Sequence, residues 1–141
     1  MRYKTESEIK EVIRNFEDAT ISRDEWKHAE HLTVALHYLC EHDLEAATEK
    51  MRTGISKLLG AFGVDLTKDM PYHETMTVFW MKTVARFNNV KQHNSLVEKA
   101  NEIIRRYDKE YPLTFYSHDL LFSDLARAKF VEPDIMPLLD Q

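Results

Sequence analysis

The sequence predicts an all-α protein: a single helical domain of five substantial helices and one shorter C-terminal helix. Three observations predict it. Apolar residues recur at three- and four-residue spacing along most of the chain, and no long stretch alternates with the period of two that a strand shows. Three glycines and four prolines in 141 residues leave the interior free for long helices. Thr5-x-x-Glu8, Ser22-x-x-Glu25 and Ser95-x-x-Glu98 each have the form of a capping box, in which two side chains satisfy free backbone N–H groups at a helix start.

The elements follow in order. The first helix starts after Thr5, carries Ile9, Val12, Ile13 and Phe16 on one face, and fades near residues 19–20. The second starts at the Ser22 box. Its stripe reads His28, His31, Leu32, Ala35, Leu36 and Leu39, and it ends near residues 40–42. Asp43 is placed to cap the third helix, which carries Leu44, Ala47, Met51, Ile55, Leu58, Leu59 and Phe62. Gly60 and Gly63 suit its C-terminal end. Gly54 sits within it on the apolar side, where glycine costs about 1 kcal/mol relative to alanine. Two readings of Gly54 stand: close approach of another helix, or room for a ligand.

Residues 63–70 read as a loop, and Pro71 suits the first position of the fourth helix. From Met76 through Val78, Phe79, Trp80, Met81, Val84 and Ala85 to Phe87 that helix is apolar nearly all round, the mark of a central helix. The fifth begins at Ser95 and presents Val97, Ala100, Ile103, Ile104 and Tyr107. Past Pro112, one shorter helix over about 117–129 carries Leu120, Leu121, Leu125 and Ala126. The tail from residue 131, with Pro133 and Pro137, reads as extended across the body.

Composition narrows the class. The length suits one domain with a real core. Lys and Arg number 19 against 24 Asp and Glu, a net charge of −5, with no basic block or stripe. That argues against a nucleic-acid partner and against an anionic membrane surface. No apolar run approaches the roughly 18 residues of a spanning helix, and the first residues lack the apolar core of a signal peptide. The expected location is the cytoplasm. Cys40, the sole cysteine, excludes an internal disulfide; with no basic neighbour in sequence, it reads as an inert buried thiol.

The histidines are the strongest chemical signal. His28 and His31 stand three apart in Trp26-Lys27-His28-Ala29-Glu30-His31-Leu32, so their Cβ atoms are about 5–6 Å apart on a helix. His73 stands in Tyr72-His73-Glu74-Thr75 at the next central helix start. At a helix N-terminus the dipole disfavours imidazolium, and neutral imidazole is the metal-binding form. Zinc takes three protein ligands and an open position in catalytic sites. His28, His31 and His73 are therefore candidate ligands of a divalent metal such as zinc, if the two helix starts pack together. The competing reading is a hydrogen-bonded network without metal. A di-iron carboxylate site needs two Glu-x-x-His motifs; the chain has Glu25-x-x-His28 alone.

Glu74 has three candidate roles: a catalytic general base, an orienting partner for a histidine on the second helix, or a first-turn glutamate favoured by the dipole. Thr77 and Trp80 share the side of His73 and are placed to line a pocket below it, with plain core as the competing reading of Trp80. Ser117-His118-Asp119 places triad residue types in sequence, but triad members must converge in space. The segment reads as a helix cap. Arg127 either reaches an acidic partner such as Glu74 or lies at the surface.

From residue 26 onward the chain resembles a family of small, mostly bacterial helical proteins with no established activity. The matching stretches run from Trp26 to Ala35, Met51-Arg52-Thr53-Gly54-Ile55, Tyr72-His73-Glu74-Thr75-Met76-Thr77, and parts of residues 117–134. The chain departs from the pattern at Trp26, where phenylalanine is expected. The resemblance implies that the histidine segments belong together and carries no catalytic role. Two functional expectations follow. One is a buried histidine-lined site, with or without metal, acting in hydrolysis or transfer on a small-molecule ligand. The other is a non-enzymatic binding module with structural histidines.

Overall fold

The structure, a computed structural model, describes residues 1–64 and 72–139. Five substantial helices form the body: α1 (Glu6–Glu17), α2 (His28–Glu41), α3 (Leu44–Ala61), α4 (Glu74–Val90) and α5 (Leu96–Arg106). A 3₁₀ turn, Tyr111–Thr114, leads to two short helices, α6 (His118–Leu121) and α7 (Asp124–Ala128). No strand occurs among the described residues.

Local chemistry fixes most helix starts. Thr5 and Ser95 each accept the backbone N–H three residues on, and Glu8 and Glu98 reach back to the cap N–H groups. Asp43 accepts from the Ala46 N–H at 2.8 Å and starts α3. At the other end of α3, Gly63 adopts φ +84°, the left-handed conformation glycine takes freely, and the Val64 N–H returns to the Leu59 carbonyl.

Three boundaries differ from those expected. The Ser22 box forms, with the Glu25 N–H on Ser22 Oγ and the Ser22 N–H on Glu25 Oε1, but it closes a single turn. Trp26 leaves that turn to stack on Phe16, ring centroids 4.8 Å apart. The helix begins at His28, with the Glu30 carboxylate accepting from the Lys27 N–H. The fourth helix starts at Glu74 with His73 as its cap; Pro71 and most of the expected loop lie outside the described residues. The single C-terminal helix is two, because Ser117 and Ser123 each cap a short helix of their own.

α2 is the hub. It packs on α1, α3, α4 and α5, and Leu32, Val34, Ala35 and Leu36 are wholly buried. α4 is central too, with Phe79, Met81 and Val84 wholly buried. α1 crosses α3 at Gly54, where an added Cβ would lie 2.4 Å from two carbons of the Phe16 ring. Close packing against Phe16 accounts for that glycine, and a groove of about 320 Å³ opens beside it, past Tyr38, Thr53 and Lys57.

The ends of the chain are tied to this body. Asn101 pairs with the Tyr3 backbone twice, accepting from its N–H and donating to its carbonyl, both at 2.9 Å. The tail lies across the start of α4: Thr75 Oγ1 donates to the Lys129 carbonyl and accepts the Val131 N–H. Asp134 accepts both the N–H and the hydroxyl of Ser117. No described helix is long and apolar enough to cross a membrane.

Candidate functional site

The three histidines stand at two helix starts, as their sequence positions suggest, but each has its own use. His28 is the first residue of α2. Its Nε2 lies 2.9 Å from the Tyr107 carbonyl, just past the end of α5. A carbonyl only accepts, so Nε2 carries the proton. The ring packs on Trp80, with centroids 4.8 Å apart. His73 caps α4: Nδ1 accepts the Met76 N–H at 3.1 Å, which puts its proton on Nε2. Nε2 then donates to the Leu121 carbonyl, at the end of α6, at 2.6 Å. Helix C-termini leave carbonyls unsatisfied. His28 and His73 each stand at one helix start and bind such a carbonyl at another helix end.

His31 differs. Part of the residue reaches the surface, but Nε2 is sealed from solvent and has no hydrogen-bond partner. The ring lies against Trp26, centroids 5.9 Å apart. Burial pushes its pKa down to about 4, helped by neighbouring His28. Burial also lowers His73, against the opposing effect of the Leu121 carbonyl, with Arg127 as a nearby like charge. Both rings are thus held neutral near pH 7, as a helix-start position favours.

The expected three-histidine ligand set does not assemble. Among the described residues no three His, Cys, Asp or Glu side chains are placed to hold a metal ion. The physical reason lies in His73, whose two nitrogens are both engaged with backbone groups. His28 has one nitrogen engaged. The donors left fall short of a zinc set.

Glu74 is the first residue of α4, and its carboxylate is fully engaged. Arg52 on α3 meets it in a two-pronged pair, Nε to Oε1 at 2.9 Å and Nη2 to Oε2 at 2.7 Å. The Tyr72 hydroxyl donates to Oε1 at 2.7 Å. Hydrogen bonding from Arg52 holds the Glu74 carboxyl below its usual range. A carboxylate so stabilised is a weak proton acceptor, because a base works best with a pKa near the operating pH. Arg127 lies over the Phe122 ring, 5.8 Å from its centroid. Thr77, expected beside a pocket under His73, donates to the His73 carbonyl instead, and Trp80 is core.

Two large grooves lie elsewhere. One, about 810 Å³, runs between α3 and α4 past Glu49, Arg52, Val78 and Lys82. Another of about 810 Å³ lies by the N-terminal segment, beside Arg2, Lys27 and Glu30. No histidine lines either. In the second, Arg2 is paired with Glu30, which is 6% exposed.

Cys40 requires two corrections. The residue is exposed rather than buried. It also has a basic neighbour that lies 59 positions away in sequence, the Nζ of Lys99 at 3.4 Å from Sγ. Lys99 was detectable in one respect: it sits four residues before Ile103, on the apolar face of α5, where a lysine is out of place.

Fold and site together define an all-α bundle whose polar interior side chains mostly join helix ends and tie down chain ends. No protein-family model, curated protein or solved structure matches the chain.

Proposed function

We propose that this protein is a non-enzymatic helical binding module whose histidines are structural. The observation that carries this reading is the use of the ring nitrogens: His28 and His73 are committed to the carbonyls of Tyr107 and Leu121, and His73 also caps its own helix. Glu74, the candidate base, is committed to Arg52. The surface offers a place for a partner. Among the described residues, five of seven exposed large apolar side chains fall between 122 and 139: Phe122, Leu125, Ile135, Met136 and Leu139. Apolar side chains gathered into one patch mark an interaction site, whereas single exposed ones are ordinary, and these five are the candidates for such a patch.

The test is proximity labelling of the protein in its own cell, comparing the wild type with Leu125→Glu and Ile135→Glu. Both residues are more than half exposed, so the variants keep the wild-type melting temperature while losing a specific labelled protein. Unchanged labelling in both variants overturns the reading.

A second reading, a small-molecule or metal site at α2, is favoured by one observation, the sealed and unpartnered Nε2 of His31. Metal analysis of protein purified without a histidine tag decides it. Stoichiometric metal that disappears in His31→Ala supports this second reading over the first.

A further inference from the structure

Cys40 lies near the C-terminal end of α2, exposed to solvent. Behind it, on α5, Lys99 is 7% exposed. Its Nζ lies 2.8 Å from Asn88 Oδ1 on α4 and 3.4 Å from Cys40 Sγ. A buried ammonium ordinarily has a carboxylate partner, since an unpaired buried charge is costly. None of the ion pairs among the described residues involves Lys99. Its polar partners are an amide oxygen and a sulfur atom. The arrangement has three parts: an exposed cysteine, an amine held against its sulfur from inside, and no second thiol in the chain.

We propose that Cys40 and Lys99 form a peroxide-responsive pair that closes to a sulfur–nitrogen cross-link between α2 and α5. The chemistry takes two steps. The Cys40 sulfur attacks one oxygen of hydrogen peroxide, and the O–O bond breaks. This yields a sulfenic acid and water, with sulfur oxidised by two electrons and peroxide reduced by two. The Lys99 ammonium first gives one proton to solvent, and the amine lone pair so freed attacks the sulfenic sulfur. An S–N bond forms and the S–O bond breaks; the hydroxide leaves as water with a second proton from nitrogen, and the third stays on the cross-linking N–H. The same condensation with backbone nitrogen is an established fate of sulfenic acids. Here the nitrogen is already at van der Waals distance, so capture is intramolecular.

The experiment treats the full-length chain with hydrogen peroxide at low protein concentration and follows the intact mass. The cross-linked protein is about 2 Da lighter than the thiol form, whereas a sulfenic acid is about 16 Da heavier. Peptide mapping shows the Cys40 and Lys99 peptides joined, and a small thiol restores the starting mass. Cys40→Ser abolishes the product. Lys99→Met leaves a sulfenic acid that dimedone traps in high yield, while the wild type gives little adduct. Each of three results overturns the proposal: a wild type that accumulates dimedone adduct as readily as Lys99→Met, a wild type found only in heavier oxidised forms, or a disulfide-linked dimer as the sole product. If Lys99→Met fails to melt cooperatively, the wild-type peptide map decides alone.

Discussion

An alanine at position 54 would press its Cβ against Phe16, which is wholly buried and stacked on Trp26. Helix propensity favours alanine by about 1 kcal/mol, while overpacking a close contact costs about 1–3 kcal/mol. The ring has little freedom to yield, so packing wins. Gly54→Ala lowers the urea midpoint, and adding Phe16→Leu in the same chain recovers part of the loss relative to the two single changes summed. A raised midpoint in the single variant refutes the close-approach account. The Glu74 pair is also testable by one residue. Glu74 is mostly buried and Arg52 about a third exposed, so the pair lies between the surface and buried cases. Glu74→Gln costs about 1–2 kcal/mol, and it leaves any ligand binding intact on the binding-module reading.

Among the helices, α4 depends most on an unusual cap. His73→Ala removes the acceptor for the Met76 N–H and the donor to the Leu121 carbonyl, which costs about 1–3 kcal/mol. His73→Asn keeps the first and loses the second, so its thermal midpoint falls between those of the alanine variant and the wild type. Equal midpoints for the two variants contradict the capping role. The same cap shows how far sequence reading reaches. Helices α1, α3 and α5 were legible because cap and stripe lie within a few residues of each other. The Ser22 box satisfied the local rule, but Trp26 had a better use against Phe16, a contact no four-residue motif encodes. Pro71 suits a first helical position, so sequence alone places His73 inside the helix on its apolar side; its partner, the Leu121 carbonyl, lies 48 positions away. Arg52 with Glu74, Asn101 with Tyr3 and Lys99 with Cys40 join residues 22, 98 and 59 positions apart. Periodicity carries no information on such pairs.

For the whole molecule, acid is the revealing perturbation. His31 has a folded pKa of about 4 against an unfolded value near 6.5. Between those values the unfolded chain binds the proton and the folded protein does not, so stability falls as pH drops from about 6.5 to about 4 and then levels off. The full effect is on the order of 3 kcal/mol. The lowered His73 acts in the same direction. Glu74, also lowered, adds a loss that begins near pH 4.5 and grows as pH falls toward its folded pKa. Urea titrations at pH 7, 5.5 and 4 check this, with His31→Leu as the comparison. The wild type loses more than the variant over that range, and parallel losses rule out His31 as the source.

The Thr75 hydroxyl, held between the Lys129 carbonyl and the Val131 N–H, also bears on how the protein is made. The first turn of α4 is finished by residues the ribosome adds more than 50 positions later. During synthesis α1, α2 and α3 can pair as soon as they emerge, since their contacts are close in sequence. The opening of α4 stays loose until residues near 131 clear the exit tunnel and settle over it. In a nascent chain halted at residue 125 the His73 cap alone therefore holds residues 74–78, whose amide hydrogens exchange faster than in the finished protein, while those in the middle of α2 are already protected.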